Sequence, residues 1–241
     1  MCKDCGCGKD QPHAHEAAHE TGQRTVAVRK AVLSKNDQLA ERNRAGFAAK
    51  GLLVVNVLSS PGSGKTTFLE RMATDLRGRV RFGVIVGDLA TDLDAERLRK
   101  CDVPAVQICT GSTCHLDAEM VAAAMAKLPL DDLDVLVIEN VGNLVCPASY
   151  DLGEHVRVVL ISVTEGEDKP LKYPVIFKTA HVVVVNKMDI AMSAGFDRET
   201  ALSNIRRVAS QGRILEVSAR TGQGMDGWYE YLEGYRQRNP T

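Results

Sequence analysis

Residues 52–68 constrain the fold of this chain more than any other part of its sequence. An apolar, Val-rich run at 52–58 breaks into a loop of small residues at 59–64, and Lys65 then opens a helical pattern. Continuous apolar runs of this length are typical of fully buried strands in parallel sheets. A strand, a small-residue loop ending in Gly-Lys-Thr, and a helix together indicate a phosphate-binding loop, whose backbone N–H groups and helix N-terminus attract anions.

Each residue type in this loop has a physical reason. Gly62 and Gly64 let the backbone approach a phosphate without a Cβ in the way. Lys65 is expected to reach the β and γ oxygens, and Thr66 to offer a hydroxyl to Mg²⁺. Ser59 stands where the motif usually has a glycine, and a small residue fits there; the alternative is an ordinary Gly/Ser turn. The predicted phosphate contacts are Gly62, Ser63, Gly64, Lys65, Thr66 and Thr67.

Strand and helix patterns alternate along the rest of the chain. Strands are predicted at 52–59, 80–87, 104–109, 133–139, 155–163, 181–186 and 213–217, and helices at 65–77, 92–101, 115–127, 197–210 and 224–236. Such alternation implies a mostly parallel sheet with helices on both faces. The predicted fold class is therefore α/β, a P-loop NTPase with a mostly parallel sheet flanked by helices.

The first 24 residues differ from the rest. They are rich in Cys, His, Gly and charge and have no apolar periodicity, so we expect a flexible tail. Residues 25–50 have the spacing of an amphipathic helix that ends before Gly51. The predicted organisation is a metal-binding tail at 1–24 and a nucleotide-binding domain with a leading helix at 25–241.

Charge and hydropathy exclude several classes of partner. Lys and Arg number 30 against 31 Asp and Glu, so no excess charge favours a nucleic acid or a membrane surface. No apolar run approaches the roughly 20 residues that span a bilayer, and no signal core is present, so a cytoplasmic location is expected. The seven cysteines are an odd count with uneven spacing, which favours metal or redox chemistry over a disulfide framework.

A second loop predicts that the base is guanine. Asn186-Lys187-Met188-Asp189 follows an apolar strand, and its aspartate can accept from both N1–H and the 2-amino group of guanine. Adenine offers neither donor, so a site built on these hydrogen bonds discriminates strongly. Lys187 is expected along the base and Asn186 to tie this loop to the phosphate loop. Ser218 and Ala219, after the last strand, match a second guanine-contacting loop.

Two acidic residues end apolar strands. Asp88 and Glu139 are expected at the carboxyl edge of the sheet, where they could hold Mg²⁺ with Thr66 and serve hydrolysis with Lys65. Gly142 follows in an E-x-x-G pattern typical of a γ-phosphate sensor. Asp88 has an alternative role as the cap of the following helix. Asp92 and Asp94 compete for a switch-like role near the same place.

Two groups of soft metal ligands stand out. Cys2, Cys5 and Cys7 put three thiols within reach of one ion in a segment with no core to bury them. The alternative is an incidental zinc-binding tail.

The second group is Cys114, His115 and Cys146. We expect the Cys-His pair at the N-terminus of helix 115–127, where a thiol pKa is lowered. Three protein ligands leave one position open in a four-coordinate site, for an exchangeable metal or a second subunit. The alternative is that the pair and the distant cysteine are unrelated.

Taken together, these motifs make the chain resemble the HypB family, the GTPases that help insert nickel into [NiFe]-hydrogenases. The likeness is carried by Cys2-x-x-Cys5-Gly6-Cys7, the loop 59–67, T-G-S-T-C-H-L-D-A at 110–118, E-N-V-G-N-L-V-C-P at 139–147 and N-K-M-D at 186–189. The related urease nickel-insertion GTPases share the nucleotide site but typically carry a Cys-Pro-His motif, which is absent here.

The resemblance implies a low-turnover GTPase that dimerises with GTP and uses GTP/GDP, Mg²⁺, Ni²⁺ and Zn²⁺. It implies a tight nickel site on Cys2, Cys5 and Cys7 and a weaker nickel or zinc site on Cys114, His115 and Cys146. The implied partners are hydrogenase accessory proteins and the hydrogenase large-subunit precursor. Alternatives are a urease nickel-insertion GTPase, a metal store or sensor with a weak nucleotide site, and a P-loop kinase for a small molecule.

Overall fold

The structure is a computed structural model that describes residues 13–89 and 91–238, with side chains for Val28 and from residue 30 onward. Its contacts divide the chain into two units, residues 1–35 and 36–241. Helix α1 (His13–Ala49) supplies what is described of the first unit and the start of the second. The second unit contains the remaining helices and every described strand.

In the described part of the chain, seven strands form one sheet in the order β3-β2-β4-β1-β5-β6-β7. Every pairing between neighbours is parallel. The strands are β1 (Leu53–Ser59), β2 (Phe82–Asp88), β3 (Ala105–Cys109), β4 (Val135–Glu139), β5 (Val156–Ser162), β6 (Val182–Asn186) and β7 (Arg213–Glu216). The all-parallel arrangement confirms the predicted fold class.

Helices cover both faces of the sheet. They are α2 (Lys65–Asp75), α3 (Leu93–Arg99), α4 (Ala118–Met125), α5 (Lys169–Lys172), α6 (Pro174–Lys178), α7 (Arg198–Val208) and α8 (Asp226–Arg238). Alternate residues of a strand point to opposite faces. In β1, Val55 and Val57 accordingly pack in the core containing Trp228 of α8, whereas Val54 packs in the opposite core containing Phe47 of α1. Apolar side chains on both faces explain why the strands read as continuous hydrophobic runs.

Two helices begin three or more residues away from the predicted start, whereas the other predicted helix ends lie within two residues of the observed ones. Helix α1 begins at His13, twelve residues before the predicted start at Thr25. The residues 13–24 include Ala, Glu, Gln and Arg, which favour helix by local propensity, and apolar periodicity does not detect such a segment. Helix α4 begins at Ala118 instead of 115, because Asp117 caps it by accepting from Met120 N at 2.8 Å. The short helices α5 and α6 were not predicted.

No helix in the described ranges combines the length and apolar character needed to cross a membrane.

Candidate nucleotide and metal site

The residues predicted to act on a nucleotide converge because the strands that carry them are parallel. Strands β1, β2, β4 and β6 end at Ser59, Asp88, Glu139 and Asn186, so their carboxyl ends meet at one edge of the sheet. Ligands of open α/β sheets bind at this edge. A cavity of about 520 Å³ lies there, lined by Pro61, Gly62, Gly64, Lys65, Thr66, Thr67, Gly87, Asp88, Leu89, Asp94, Arg97, Glu139, Val141, Gly142 and Lys187.

The phosphate loop requires glycine at two positions. Gly62 has φ +74° and Gly64 has φ +99°, values in the left-handed region that residues with a Cβ rarely adopt. A Cβ on Gly64 would also lie 2.6 Å from Asn186 Nδ2. The guanine-type loop therefore packs directly against the phosphate loop, and only glycine leaves room for it.

Ser59 does more than fit the first position of the loop. Its Oγ accepts hydrogen bonds from Lys65 Nζ at 2.9 Å and from Ser63 Oγ at 2.7 Å. Burial lowers the pKa of Lys65, while the nearby Glu139 carboxylate opposes that shift. The hydroxyl of Ser59, which a glycine could not supply, holds the lysine ammonium over the loop.

Glu139 is a buried carboxyl with one unused oxygen. Its Oε1 accepts from Thr66 Oγ1 at 2.9 Å, and its buried Oε2 has no hydrogen-bond partner among the described residues. Burial raises the pKa of Glu139 to about 7, against the opposing charge of Lys65. A hydroxyl and a carboxylate beside a phosphate loop are the oxygen ligands that Mg²⁺ takes in such sites. The pair therefore fits the predicted cation.

Asp88 also lines the cavity, and its side chain closes the turn that follows β2. It accepts from Leu89 N and from Thr91 Oγ1, each at 2.6 Å. The helix that follows begins only at Leu93, with Asp92 at its N-cap position. Asp88 therefore caps this turn instead of helix α3, and remains at the edge of the cavity.

The structure separates Asp92 and Asp94, the two aspartates that compete for the switch-like role. Asp92 pairs with Arg99, whereas Asp94 lines the cavity. Arg97 lies beside Asp94 in the cavity wall, where its guanidinium donates to Glu70 at 3.0 and 2.6 Å and to Asp94 at 3.3 Å. Sequence reasoning missed Arg97, although its i+3 spacing from Asp94 on a helix was a usable signal.

Asn186 joins three loops. Its Nδ2 donates to Ser63 O at 3.0 Å, and its Oδ1 accepts from Ala219 N at 3.0 Å. The side chain is buried, so both hydrogen bonds are shielded from water. This is the tie to the phosphate loop that the sequence predicts, extended to the loop after β7.

Asp189 and Lys187 occupy the rim beside it. Asp189 Oδ1 accepts from Ser218 Oγ at 2.7 Å, which orients the carboxylate. Lys187 adopts φ +63° and donates from Nζ to Gly62 O at 2.7 Å. The N-K-x-D residues and the Ser-Ala pair are therefore joined by hydrogen bonds to one another and to the phosphate loop.

Cys114, His115 and Cys146 come together in space. One ligand atom from each lies within 4.8 Å of the others, although 30 residues separate His115 from the second cysteine. The His115 ring stacks on Tyr150 with centroids 3.8 Å apart. Its buried Nδ1 has no hydrogen-bond partner among the described residues. Two thiols and an imidazole in this arrangement suit zinc or nickel.

The expected lowering of the Cys114 pKa is wrong. Helix α4 begins at Ala118, so Cys114 lies in the preceding loop and not at the helix N-terminus. A hydrogen bond with Cys146 and burial instead raise the pKa of the Cys114 thiol, and burial lowers the pKa of His115. A metal ion held by both cysteines would displace their thiol protons, since thiolate is the ligating form.

The N-terminal cysteines Cys2, Cys5 and Cys7 lie outside the described residues, so the first predicted metal site stays a prediction.

Comparison with known proteins agrees with this geometry. Residues 53–216 match the family model described as CobW/HypB/UreG, nucleotide-binding domain. The chain is 50% identical to hydrogenase maturation factor HypB of Escherichia coli (strain K12) over 227 residues, which cover 93% of this chain and 78% of that protein.

Two crystal structures of HypB resemble it. The HypB of Helicobacter pylori in complex with nickel is 40% identical with a TM-score of 0.82, covering 86% of this chain and 97% of that one. The HypB of Archaeoglobus fulgidus is 40% identical with a TM-score of 0.79, covering 84% and 98%. With a parallel sheet, a phosphate loop and a Cys-His-Cys cluster already in place, these likenesses show that the chain belongs to the HypB group of the CobW/HypB/UreG family.

Proposed function

We propose that this protein hydrolyses GTP and delivers nickel during the maturation of [NiFe]-hydrogenases. The observation that carries the proposal is that one segment, residues 139–146, contributes Glu139 and Gly142 to the nucleotide cavity and Cys146 to the Cys-His-Cys cluster. A ligand that reorders this segment can alter both sites. The hydrogenase connection rests on membership of the HypB group.

The cavity residues account for binding and hydrolysis. Backbone N–H groups of the phosphate loop hold the β and γ phosphates, and Lys65 neutralises charge that develops on them as the bond to the γ phosphate breaks. Asp189 selects guanine, and Gly142 contacts the γ phosphate through its N–H. Thr66, Asp88 and Glu139 would hold Mg²⁺, which shields phosphate charge. We assign the orientation of water to Asp94, which lies on the cavity wall.

The Cys-His-Cys cluster is suited to a metal that must leave again. Three protein ligands leave a coordination position open, so an incoming ligand from an acceptor can bind before the ion departs. Thiolates and imidazole bind both Ni²⁺ and Zn²⁺. We assign the weaker, nucleotide-sensitive metal site to this cluster and the tighter nickel site to Cys2, Cys5 and Cys7.

Partners complete the proposal. In a GTP-dependent homodimer, GTP binding would act on the metal clusters of both subunits. Hydrogenase accessory proteins and the large-subunit precursor would receive the ion in the cytoplasm. A HypB of Helicobacter pylori carries the name hydrogenase/urease maturation factor, so urease is the second acceptor to test.

An equilibrium nickel titration, followed by thiolate-to-metal absorbance, tests the proposal. It is run with GDP and with a non-hydrolysable GTP analogue, alongside release of phosphate from GTP without any acceptor molecule. We expect two classes of nickel site, the weaker changing affinity with the nucleotide, and measurable hydrolysis. Transfer of the γ phosphate to a small-molecule acceptor, with no release of inorganic phosphate in its absence, would instead identify a kinase, and neither transfer nor hydrolysis a metal store or sensor.

A further inference from the structure

The side chain of Asn143 joins the two backbone segments that carry the metal-ligand cluster. Its Nδ2 donates to Cys114 O at 3.2 Å, and its Oδ1 accepts from Val145 N at 2.8 Å. Cys146 is the next residue after Val145. One carboxamide therefore spans from the Cys114 backbone to the backbone that positions the opposite thiol.

The residue before Asn143 packs on the phosphate loop. A Cβ on Gly142 would lie 3.1 Å from three atoms of Pro61, so this glycine and the loop are in close contact. Gly142 also lines the nucleotide cavity, and Asn143 is not among the residues that line it. A movement of Gly142 toward or away from a γ phosphate must therefore pass into Asn143 through a single peptide bond.

A second asparagine holds the same region from the other side of Gly142. Asn140 Oδ1 accepts from Leu116 N at 3.3 Å and from Val141 N at 2.9 Å. The Asn140 side chain is buried and also donates to Asn56 in the central strand at 3.4 Å. Asn140 is thus anchored in the sheet, whereas half-buried Asn143 bonds only to the two ligand-bearing segments among the hydrogen bonds described for it.

We propose that Asn143 is the positioning residue through which the nucleotide state sets the metal affinity of Cys114, His115 and Cys146. The inference rests on the proposed function, since it requires both a GTP switch and a metal at this cluster. It assigns their connection to one side chain that does not line the nucleotide cavity and is not itself one of the three clustered metal ligands.

The physical basis is the narrow tolerance of metal coordination. Zinc–sulfur bonds are about 2.3 Å long and acceptable sites keep ligand distances within about 0.2 Å, so a sub-ångström change between two thiols changes affinity. A ligand can shift an equilibrium only by its differential interaction with two states, and the effect is reciprocal. Asn143 supplies such a differential contact, because its two hydrogen bonds fix the distance between the two thiol-bearing segments.

The test uses the full chain with Cys2, Cys5 and Cys7 changed to serine, so that Ni²⁺ reports on the internal cluster alone. Nickel affinity is measured with GDP and with a non-hydrolysable GTP analogue for the parent and for Asn143→Ala. Asn143→Asp is the second variant, since it keeps an acceptor for Val145 N but loses the donor to Cys114 O. Asn204→Ala is the matched control: Asn204 is also half-buried and donates to a backbone carbonyl, Glu167 O at 3.0 Å, away from the cluster.

We expect the parent and Asn204→Ala to show a ratio of nickel affinities between the two nucleotides in the usual allosteric range, about 5- to 150-fold. In Asn143→Ala and Asn143→Asp the ratio should fall to within about twofold of one. The reciprocal measurement, nickel-induced change in the affinity for the GTP analogue, should fall by the same factor.

Three results would overturn the assignment. One is an unchanged ratio in both Asn143 variants. Another is a drop in nickel affinity of equal size with both nucleotides, which would make Asn143 merely structural. The third is a parent ratio of one, which would remove nucleotide control altogether. GTP hydrolysis and nickel binding by the parent test the proposed function separately, so its failure is distinguishable from failure of Asn143.

Discussion

Thr66 Oγ1 lies 2.9 Å from Glu139 Oε1, and this hydrogen bond joins the first turn of α2 to the end of β4 at the base of the nucleotide cavity. Thr66 and Glu139 are 73 residues apart in the chain, and both are buried. The unused Oε2 of Glu139 makes the pair a ready cation site, and the raised pKa of the carboxyl makes that site sensitive to pH.

Mg²⁺-dependent nucleotide binding should weaken below neutral pH. The pKa of Glu139 is raised to about 7, so the carboxyl is protonated below that value and anionic above it, and a cation must displace the proton. Mg²⁺ affinity in the GDP complex should fall up to about tenfold per pH unit below 7 and level off above it. Mg²⁺ titrations of the complex with a fluorescent GDP between pH 5.5 and 8.5 measure this affinity. In Glu139→Gln we expect a low Mg²⁺ affinity that does not change with pH. A flat wild-type profile would contradict the assignment.

Replacing Lys65 should abolish hydrolysis without removing nickel from the N-terminal cysteines. Lys65→Ala deletes the ammonium that Ser59 holds over the phosphate loop. Loss of one preorganised charge at a reacting phosphate typically costs about 10²- to 10³-fold in rate. Phosphate release and nickel stoichiometry are measured together, with Lys127→Ala, an exposed lysine after α4, as control. Simultaneous loss of hydrolysis and tight nickel binding would mean that the two functions are not separable.

The base preference should change when Asp189 becomes an amide. Asp189→Asn keeps one carbonyl acceptor for the guanine N1–H but replaces the second acceptor, which faces the 2-amino group, by an NH₂ that can donate to the C2 carbonyl of xanthine instead. We expect the GTP-over-XTP preference to fall by about 10²-fold or more. Competition binding with both nucleotides checks this. Ser218→Ala removes the donor to Asp189 and the acceptor for Thr221 N but leaves the Asp189 carboxylate in place, so it should weaken GTP binding with the preference retained. Unaltered selectivity in Asp189→Asn would place that residue outside the base pocket.

The internal metal cluster should depend on Cys114 and not on another free cysteine. Cys114→Ala removes one of three clustered ligand atoms. Because substitution of a residue that only hydrogen-bonds to a metal ligand already lowers metal affinity about 10- to 100-fold, we expect the metal affinity of the cluster to fall about 100-fold. Cys109, an exposed free cysteine at the end of β3, is the control. Nickel and zinc titrations of both variants measure these affinities. Equal effects of Cys109→Ala and Cys114→Ala would contradict the cluster.

Crowding at Gly142 should reduce the preference for the triphosphate. In Gly142→Ala the new Cβ would lie 3.1 Å from Pro61, so the segment after β4 must shift. Overpacking of this kind costs about 1–3 kcal/mol, and affinity for a GTP analogue relative to GDP should fall about fivefold or more. Gly46→Ala in α1 has open space within 4 Å and should leave nucleotide binding unchanged while stabilising the helix. If Gly142→Ala changed the affinities for the GTP analogue and for GDP by the same factor, Gly142 would not be the γ-phosphate sensor.

Local patterns in the sequence determined the fold class and most of the nucleotide site. The strand–loop–helix around Gly64 and Lys65 and the N-K-x-D loop after β6 are recognisable because each depends on backbone geometry within a few residues. The apolar runs predicted the strands to within two residues because both faces of the central strands β1, β2, β4 and β6 are buried. The helix boundary before Ala118 was misplaced because it depends on a single capping side chain, Asp117.

The tertiary structure alone decided which distant residues act together. Three contacts at the site leave no periodic signal in the sequence, because each depends on how loops from different strands pack at one sheet edge. They are the hydrogen bond from Lys65 to Ser59, the position of Arg97 in the cavity wall, and the link that Asn143 makes between Cys114 and the Val145–Cys146 segment. The raised pKa of Cys114 follows from the same packing, which places Cys146 beside it. Sequence specified the chemical groups through local spacing, and the parallel order of the strands determined their distances, since only folding brings segments so far apart in the chain into contact.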